Sequence, residues 1–230
     1  MRLVAAPAGA AFCGSSQIAR SAGDLFIWNT TTSSILRITE TGTTSPFSTV
    51  NSVGGSGNCD AFGGDNGVNG LLTRPAGGFF GTSPLRDRVF SLSADGLTVT
   101  DLATVAEPQR LAFSPSGRLV VDTNVMAGRF YAIEDDGGIT GLFGADAGLP
   151  VIYGYRFGAD GSIYATAGSS VIRITQGSGA VQELASCFPG GITDVALEPL
   201  ADGGTGLFAL GTDGDSTGGT VGDQIWVLTP

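Results

Sequence analysis

The chain contains no histidine and no lysine, so all 11 of its cationic side chains are arginines. Without histidine, neither a Ser/His/Asp nor a Cys/His nucleophile can be assembled, and zinc sites built from cysteine and histidine are excluded. Without lysine there is no Ser-x-x-Lys constellation. Cysteine is scarce: Cys13, Cys59 and Cys187 lie far apart with no Cys-x-x-Cys pair. One disulfide with a spare thiol and three free, buried thiols both fit that spacing. Charged residues make up only 14%, and 21 acids against 11 bases leave a net charge of −10. That charge repels phosphate backbones and anionic lipid heads, so we expect no nucleic-acid partner and no membrane insertion. No apolar run approaches the roughly twenty residues of a membrane-spanning helix. The opening MRLVAAPAGAAFCGSS is interrupted by Pro7 and Gly9 and is not a clear signal peptide. Amphipathic helices are missing too: no apolar stripe of period 3.6 extends over twelve residues.

What is abundant is turn chemistry. Glycine accounts for 38 of 230 residues, and short β-branched or alternating apolar runs are bounded throughout by Gly, Asp, Ser or Pro. Residues 108–144, PQRLAFSPSGRLVVDTNVMAGRFYAIEDDGGITGLFG, show one complete unit of four strands separated by tight turns. Its second strand recurs as GDLFIWN, GGFFGTS, GRLVVDT, GSIYATA and TGLFALG. The anchors Leu25, Phe79, Leu119, Ile163 and Leu207 are 54, 40, 44 and 44 residues apart. Periods of that length are those of propeller blades. The expected fold is therefore all-β: one domain over 1–230, a closed β-propeller of five four-stranded blades, with a sixth, degenerate blade around 50–69 as the alternative.

The third strands follow as SILRITETG, RVFSLSADG, RFYAIEDDG, VIRITQGSG and QIWVLTP. The last unit ends without an outer strand, and residues 2–6 have no unit of their own. We expect the two to pair and so remove both open sheet edges. The first strands are expected at 17–19, 71–74, 110–113, 153–157 and 193–197. Segments 50–69 and 212–223, rich in Gly, Asn and Asp, read as long exposed loops. Asp60, Asp65, Asn66 and Asn69 fall in one of them, and Asp213, Asp215 and Asp223 in the other; both groups read as solvated polar residues rather than calcium loops. The sequon Asn29-Thr30-Thr31 marks an exposed turn.

Segments such as GDLFIWNTTTSSILRITETG, SPSGRLVVDTNVMAGRFYAIEDDG and ADGSIYATAGSSVIRI resemble NHL-repeat propellers and the gluconolactonase and senescence-marker-protein group. The resemblance covers about four blades. In the lactonase branch it implies a divalent cation held by an Asn in a Pro-Asn-Gly-Leu-Ala-Phe-Ser-Pro-Asp-Gly stretch and by an Asp in a following Asp-Ser or Asp-Thr pair. Here Gln109 stands for that Asn, Arg110 for the Gly and Ser116 for the Asp. Asp122 matches the second ligand in type, but the anchors place it one residue early, and in a strand one residue reverses the face. A fixed charge at Arg110 disfavours a metal beside it.

The remaining candidate is the ring mouth, where Arg110, Gly154 and Asp194 take equivalent places on three first strands, with Arg74, Gln17, Tyr153 and Tyr155 near the same level. We therefore expect Arg110, Asp194, Arg74, Gln109 and Tyr155 to bind a ligand, with no catalytic residue, no metal and no cofactor. The corresponding function is a non-catalytic binding or scaffolding propeller, acidic, monomeric and extracytoplasmic, that takes a small polar ligand or a protein partner. The alternative is a metal-dependent, lactonase-like hydrolase or lyase, with calcium as the cation.

Overall fold

A computed structural model describes residues 17–29, 32–48, 67–123, 129–143, 148–188, 191–199, 205–212 and 223–228. Outside these residues lie the expected closing strand at 2–6, Cys13 and Cys59, most of both long loops and the segment proposed for a sixth blade. Among the described residues the chain forms five antiparallel meanders, the blade units of a β-propeller. The first runs β1 (Ala19–Ser21), β2 (Asp24–Asn29), β3 (Ser34–Ile38) and β4 (Thr44–Ser48). β5 (Leu71–Thr73), β6 (Phe79–Ser83), β7 (Arg88–Leu92) and β8 (Val99–Thr104) form the second, with a short 3-10 turn at Pro84–Arg86. In the third are β9 (Pro108–Phe113), β10 (Leu119–Thr123), β11 (Arg129–Ile133) and β12 (Ile139–Gly141). β13 (Gly154–Phe157), β14 (Ile163–Ala167), β15 (Ser170–Ile174) and β16 (Val181–Ala185) make the fourth. The fifth has three strands, β17 (Ile192–Pro199), β18 (Thr205–Thr212) and β19 (Asp223–Leu228). Among the described residues no helix is long and apolar enough to cross a membrane.

The recurring turn explains the regular spacing. Ser114 N–H donates to Arg118 O at 2.9 Å while Gly117 N–H returns to Ser114 O at 2.9 Å; Glu134 with Gly137 and Gly138, and Gly158 with Gly161 and Ser162, repeat the pattern. Gly117, Gly137 and Gly161 have φ of 82°, 84° and 78°, a left-handed conformation that glycine adopts without a Cβ clash. A bulge between the third and fourth strands recurs at Ile35/Leu36, Val89/Phe90 and Val171/Ile172. It twists the outer strand away from regular pairing.

The chain divides into two compact units. In the first, which holds β1 to β8 and the start of β9, Phe26, Trp28, Ile35, Leu71, Phe79 and Phe90 form the core. Phe26 meets Phe47 and Phe79 at ring-centroid distances of 4.8 and 4.6 Å. In the second, which holds β13 to β19, the core is built on Phe130, Tyr155, Ile163, Ile172 and Ile174. A smaller cluster of Val171, Ile192, Val195, Leu207 and Ala209 lies beside β17 and β18.

Asn29 departs from the sequence reading. It ends β2 with only 4% of its surface exposed, because the strand carries it inward, so its amide is not displayed as the sequon implied. Cys187 is an exposed free thiol.

Candidate functional site

Strand register sets the geometry. Gly154 pairs with Thr166 across β13 and β14, and Asp194 with Leu210 across β17 and β18. The same place on β9 and β10 is held by Arg110, whose N–H donates to Asp122 Oδ1 at 2.6 Å. At the start of β5, Gly70 N–H donates to Thr82 Oγ1 at 2.6 Å.

In the first unit these strand ends form a connected polar cluster. Gln17 N–H donates to Asn69 O at 2.7 Å. The Gln17 amide acts as a substitute strand: Nε2 donates to Leu111 O at 2.9 Å, and Oε1 accepts Leu111 N–H at 3.1 Å. Thr82 Oγ1 donates to Gln109 O at 2.5 Å, so one hydroxyl joins the second sheet to the third. Asn69 Nδ2 donates to Gln109 Oε1 at 2.5 Å, and Gln109 Nε2 donates to Glu107 O at 3.2 Å. This chain of amides fixes which atom of Asn69 is left over: its Oδ1 is buried and has no partner. Gly70 permits the close approach, since a Cβ there would stand 2.7 Å from Gln109 O and 2.8 Å from Thr82 Oγ1.

Asp122 is the group with chemistry in this cluster. Burial pushes its carboxyl up to about 7, against the opposing pull of the Arg110 N–H and the Arg110 guanidinium charge. Both residues are enclosed, Asp122 at 1% exposure and Arg110 at 8%. The carboxyl therefore exchanges its proton near neutral pH beside a permanent cation. A divalent cation, which the family resemblance implies, does not fit here. Gln109 is engaged by Asn69, Asp122 accepts from the Arg110 backbone, and the Arg110 guanidinium would repel the ion. Among the described residues no three Asp, Glu or Cys side chains gather to compensate.

The second unit places its candidates differently. Asp194 Oδ2 accepts from Arg156 Nη2 at 3.0 Å, and Arg156 Nη1 donates to Tyr155 O at 2.7 Å. Gly154 lies flat against Asp194, leaving no room for a Cβ. Tyr155 is a core residue; its ring packs on Phe130 at 4.9 Å and its hydroxyl donates to Val120 O at 2.9 Å. It offers nothing to a ligand, because on β13 it takes the inward place of the alternation. Tyr153 is half exposed.

Arg74 stands in the β5–β6 turn, at the other end of its strand from Gly70, with its guanidinium 5.0 Å from the Phe80 ring centroid. Thus Arg110 and Gln109 join one cluster, Asp194 is held by Arg156, and Arg74 and Tyr155 lie away from both. Asn69, read from the sequence as part of a solvated loop, is 2% exposed. Only its place just before a first strand, equivalent to Gln109, could have revealed it.

No protein-family model matches the chain, and no curated protein does. Solved structures do. A protein classed as a gluconolactonase superposes with a TM-score of 0.65 at 15% identity, over 97% of this chain and 79% of the other. The gluconolactonase of Xanthomonas campestris gives 0.60 at 19% identity over 84% and 68%. Virginiamycin B lyase from Staphylococcus aureus, an inactive H270A variant with quinupristin, gives 0.59 at 16% identity over 90% and 68%. The fold is that of these β-propellers. The resemblance to NHL-repeat and gluconolactonase-like propellers holds at that level. These neighbours also correct the first functional reading: gluconolactonases and a lyase favour the alternative over a non-catalytic binding propeller.

Proposed function

We propose that this chain is an enzyme, a lactonase-like hydrolase or lyase, with Asp122 as its proton acceptor and Arg110 as its fixed positive charge. The observation that carries the reading is the buried Asp122 carboxyl at about 7, bonded to the Arg110 N–H. A general base works best when its pKa lies near the operating pH. Hydrolytic opening of a lactone needs a proton removed from the attacking water; opening by elimination needs one removed from the carbon adjacent to the one that bears the leaving oxygen. In either case negative charge grows on a substrate oxygen, and a desolvated guanidinium stabilises it more than water would. Asn69 Oδ1, buried and unpartnered, is an acceptor suited to a substrate hydroxyl or N–H. No step is routed through a divalent cation, because the charge of Arg110 opposes one.

The test is turnover of gluconolactone and quinupristin by the purified chain, followed from pH 5 to 9 with and without chelator. The expected profile rises through an apparent pKa near 7 and is insensitive to chelator. Asp122→Asn should lower kcat/KM by about 100-fold or more, the usual contribution of a positioned base. Turnover retained by Asp122→Asn, or no ring opening across a broad lactone panel, would overturn the assignment.

A further inference from the structure

A cleft of about 630 Å³ opens in the second unit between the fourth and fifth sheets, at the end marked by the β13–β14 turn. That end is remote from Gly154 and Asp194, which occupy the opposite ends of β13 and β17. Its two walls are cross-strand rows of opposite character. On the fourth sheet, Tyr164 pairs with Arg173 and Arg173 with Gln182. On the fifth, Leu197 pairs with Leu207 and Leu207 with Leu228. A guanidinium and an amide gain nothing by closing onto leucines, so a slot stays open beside Arg173 and Gln182, while Tyr164 packs against the cluster that holds Leu207. Where both sides are apolar in the same unit, as at Phe130 and Tyr155, the rings meet at 4.9 Å. The slot also leaves Leu184 at 39% exposure on the polar wall. Gly158 keeps the wall thin: a Cβ there would stand 2.8 Å from both Asp160 Oδ1 and Tyr164 Cε2.

We infer that this cleft binds a flat, uncharged and largely apolar molecule carrying one carbonyl-type acceptor. The volume is that of a small-molecule site. Neutrality follows from the polar wall. Arg173 Nη2 donates to Asp160 Oδ2 at 2.6 Å, and Asp160 also accepts from the Ser162 N–H and hydroxyl, each at 3.0 Å. The carboxylate thereby compensates the guanidinium, so neither a ligand anion nor a ligand cation finds a net opposite charge. Arg173 still has donors in excess: of the five N–H groups its guanidinium offers, the bond to Asp160 uses one at Nη2, and the side chain is one-third exposed. An acceptor on the ligand edge answers that surplus. Flatness follows from the two walls. The Arg173 guanidinium lies 6.0 Å from the Tyr164 ring centroid, a stacked platform, and the leucine row faces it. The site is independent of the catalytic reading and needs no turnover to be detected.

Nile red, a planar and uncharged dye with a carbonyl acceptor, is the probe. Titration of the intact chain should show saturable binding of one dye per chain with blue-shifted emission. Leu184→Arg, at an exposed position that the fold does not need, should weaken it by about tenfold, equivalent to some 1.4 kcal/mol. Arg173→Leu should retain binding but move the emission further to the blue, as the hydrogen bond to the dye carbonyl is lost. Should Leu184→Arg not fold, Thr205→Trp at the exposed rim blocks the same slot and should have the same effect. Binding that does not saturate, that folded Leu184→Arg or Thr205→Trp leaves unchanged, or an emission that Arg173→Leu does not move would overturn the proposal.

Discussion

Asp122 and Asp160 each stand beside an arginine, one at the enclosed end of β10 and the other in the turn after β13, and their carboxyls are displaced in opposite directions. Asp122 is raised to about 7 because burial outweighs the Arg110 N–H and charge. Asp160 is lowered: the Ser162 N–H acts most strongly, the opposing effect of burial comes next, and the Ser162 hydroxyl and Arg173 tip the balance further down. The neighbour is the same residue type in both cases, so the solvent decides the sign. Water solvates the ionised Asp160 as well as its partners do, whereas Asp122 has only protein groups to solvate it. An Asp–Arg pair is thus a surface brace in one place and a proton exchanger in the other.

The largest effect expected of this contrast is on stability against pH. Unfolded, Asp122 loses its proton near 4; folded, it holds it to about 7. Stability from this group is therefore fully present below pH 4, falls as pH rises between the two values, and is flat above. A gap of about three pH units corresponds to something on the order of 4 kcal/mol. Asp122→Asn should remove that slope and raise the melting temperature at pH 8 by roughly 10 °C, at the cost of turnover. A wild-type melting temperature constant from pH 4 to 8 would contradict the buried, raised carboxyl.

Next in size is the brace that holds Arg110 in place. Thr82→Val leaves Gly70 N–H and Gln109 O unpaired in the interior and should cost about 1–3 kcal/mol by denaturant titration. Gly70→Ala should cost a similar amount, because its Cβ meets the backbone oxygen of Gln109 rather than a movable side chain. Both should lower activity by disturbing Arg110, which separates them from a purely structural defect elsewhere.

The smallest effect belongs to Asp160→Asn. Its partner Arg173 is one-third exposed, and such pairs contribute below about 1 kcal/mol. Any difference from wild type should appear mainly above pH 4, where the wild-type carboxylate is ionised, and should fade as pH falls through its lowered value.

The blades were legible because their information is local. A left-handed glycine three residues into the turn, as at Gly117, Gly137 and Gly161, and the return of a Leu, Ile or Phe anchor after 40 to 54 residues need nothing from distant chain. The site was only partly legible because its members owe their roles to burial and to neighbours across strands. Register along the first strands brings Arg110 and Gln109 into one polar cluster. Asp122 was judged against a metal-binding pattern that its actual partner, the Arg110 N–H, does not serve. Asn69 was hidden by a run of Gly, Asn and Asp whose composition suggests solvent, although the residue next to it begins a buried strand end. Tyr155 erred the other way: alternation along a short inner strand did not reveal which face packs on Phe130.

The Gln17 side chain, bonded to both backbone groups of Leu111, bears on the rate at which this protein comes apart. Those two residues are 94 positions distant, whereas each sheet pairs strands that follow one another in the chain. Sheets of that kind nucleate by closing short loops, and the Gln17 clasp can form only after three of them exist. A contact made that late is absent from the transition state, so its loss accelerates unfolding while leaving the folding rate nearly unchanged. One amide at the edge of the first blade thereby acts as a kinetic latch, lengthening the lifetime of the native fold beyond what its small share of the equilibrium stability would suggest.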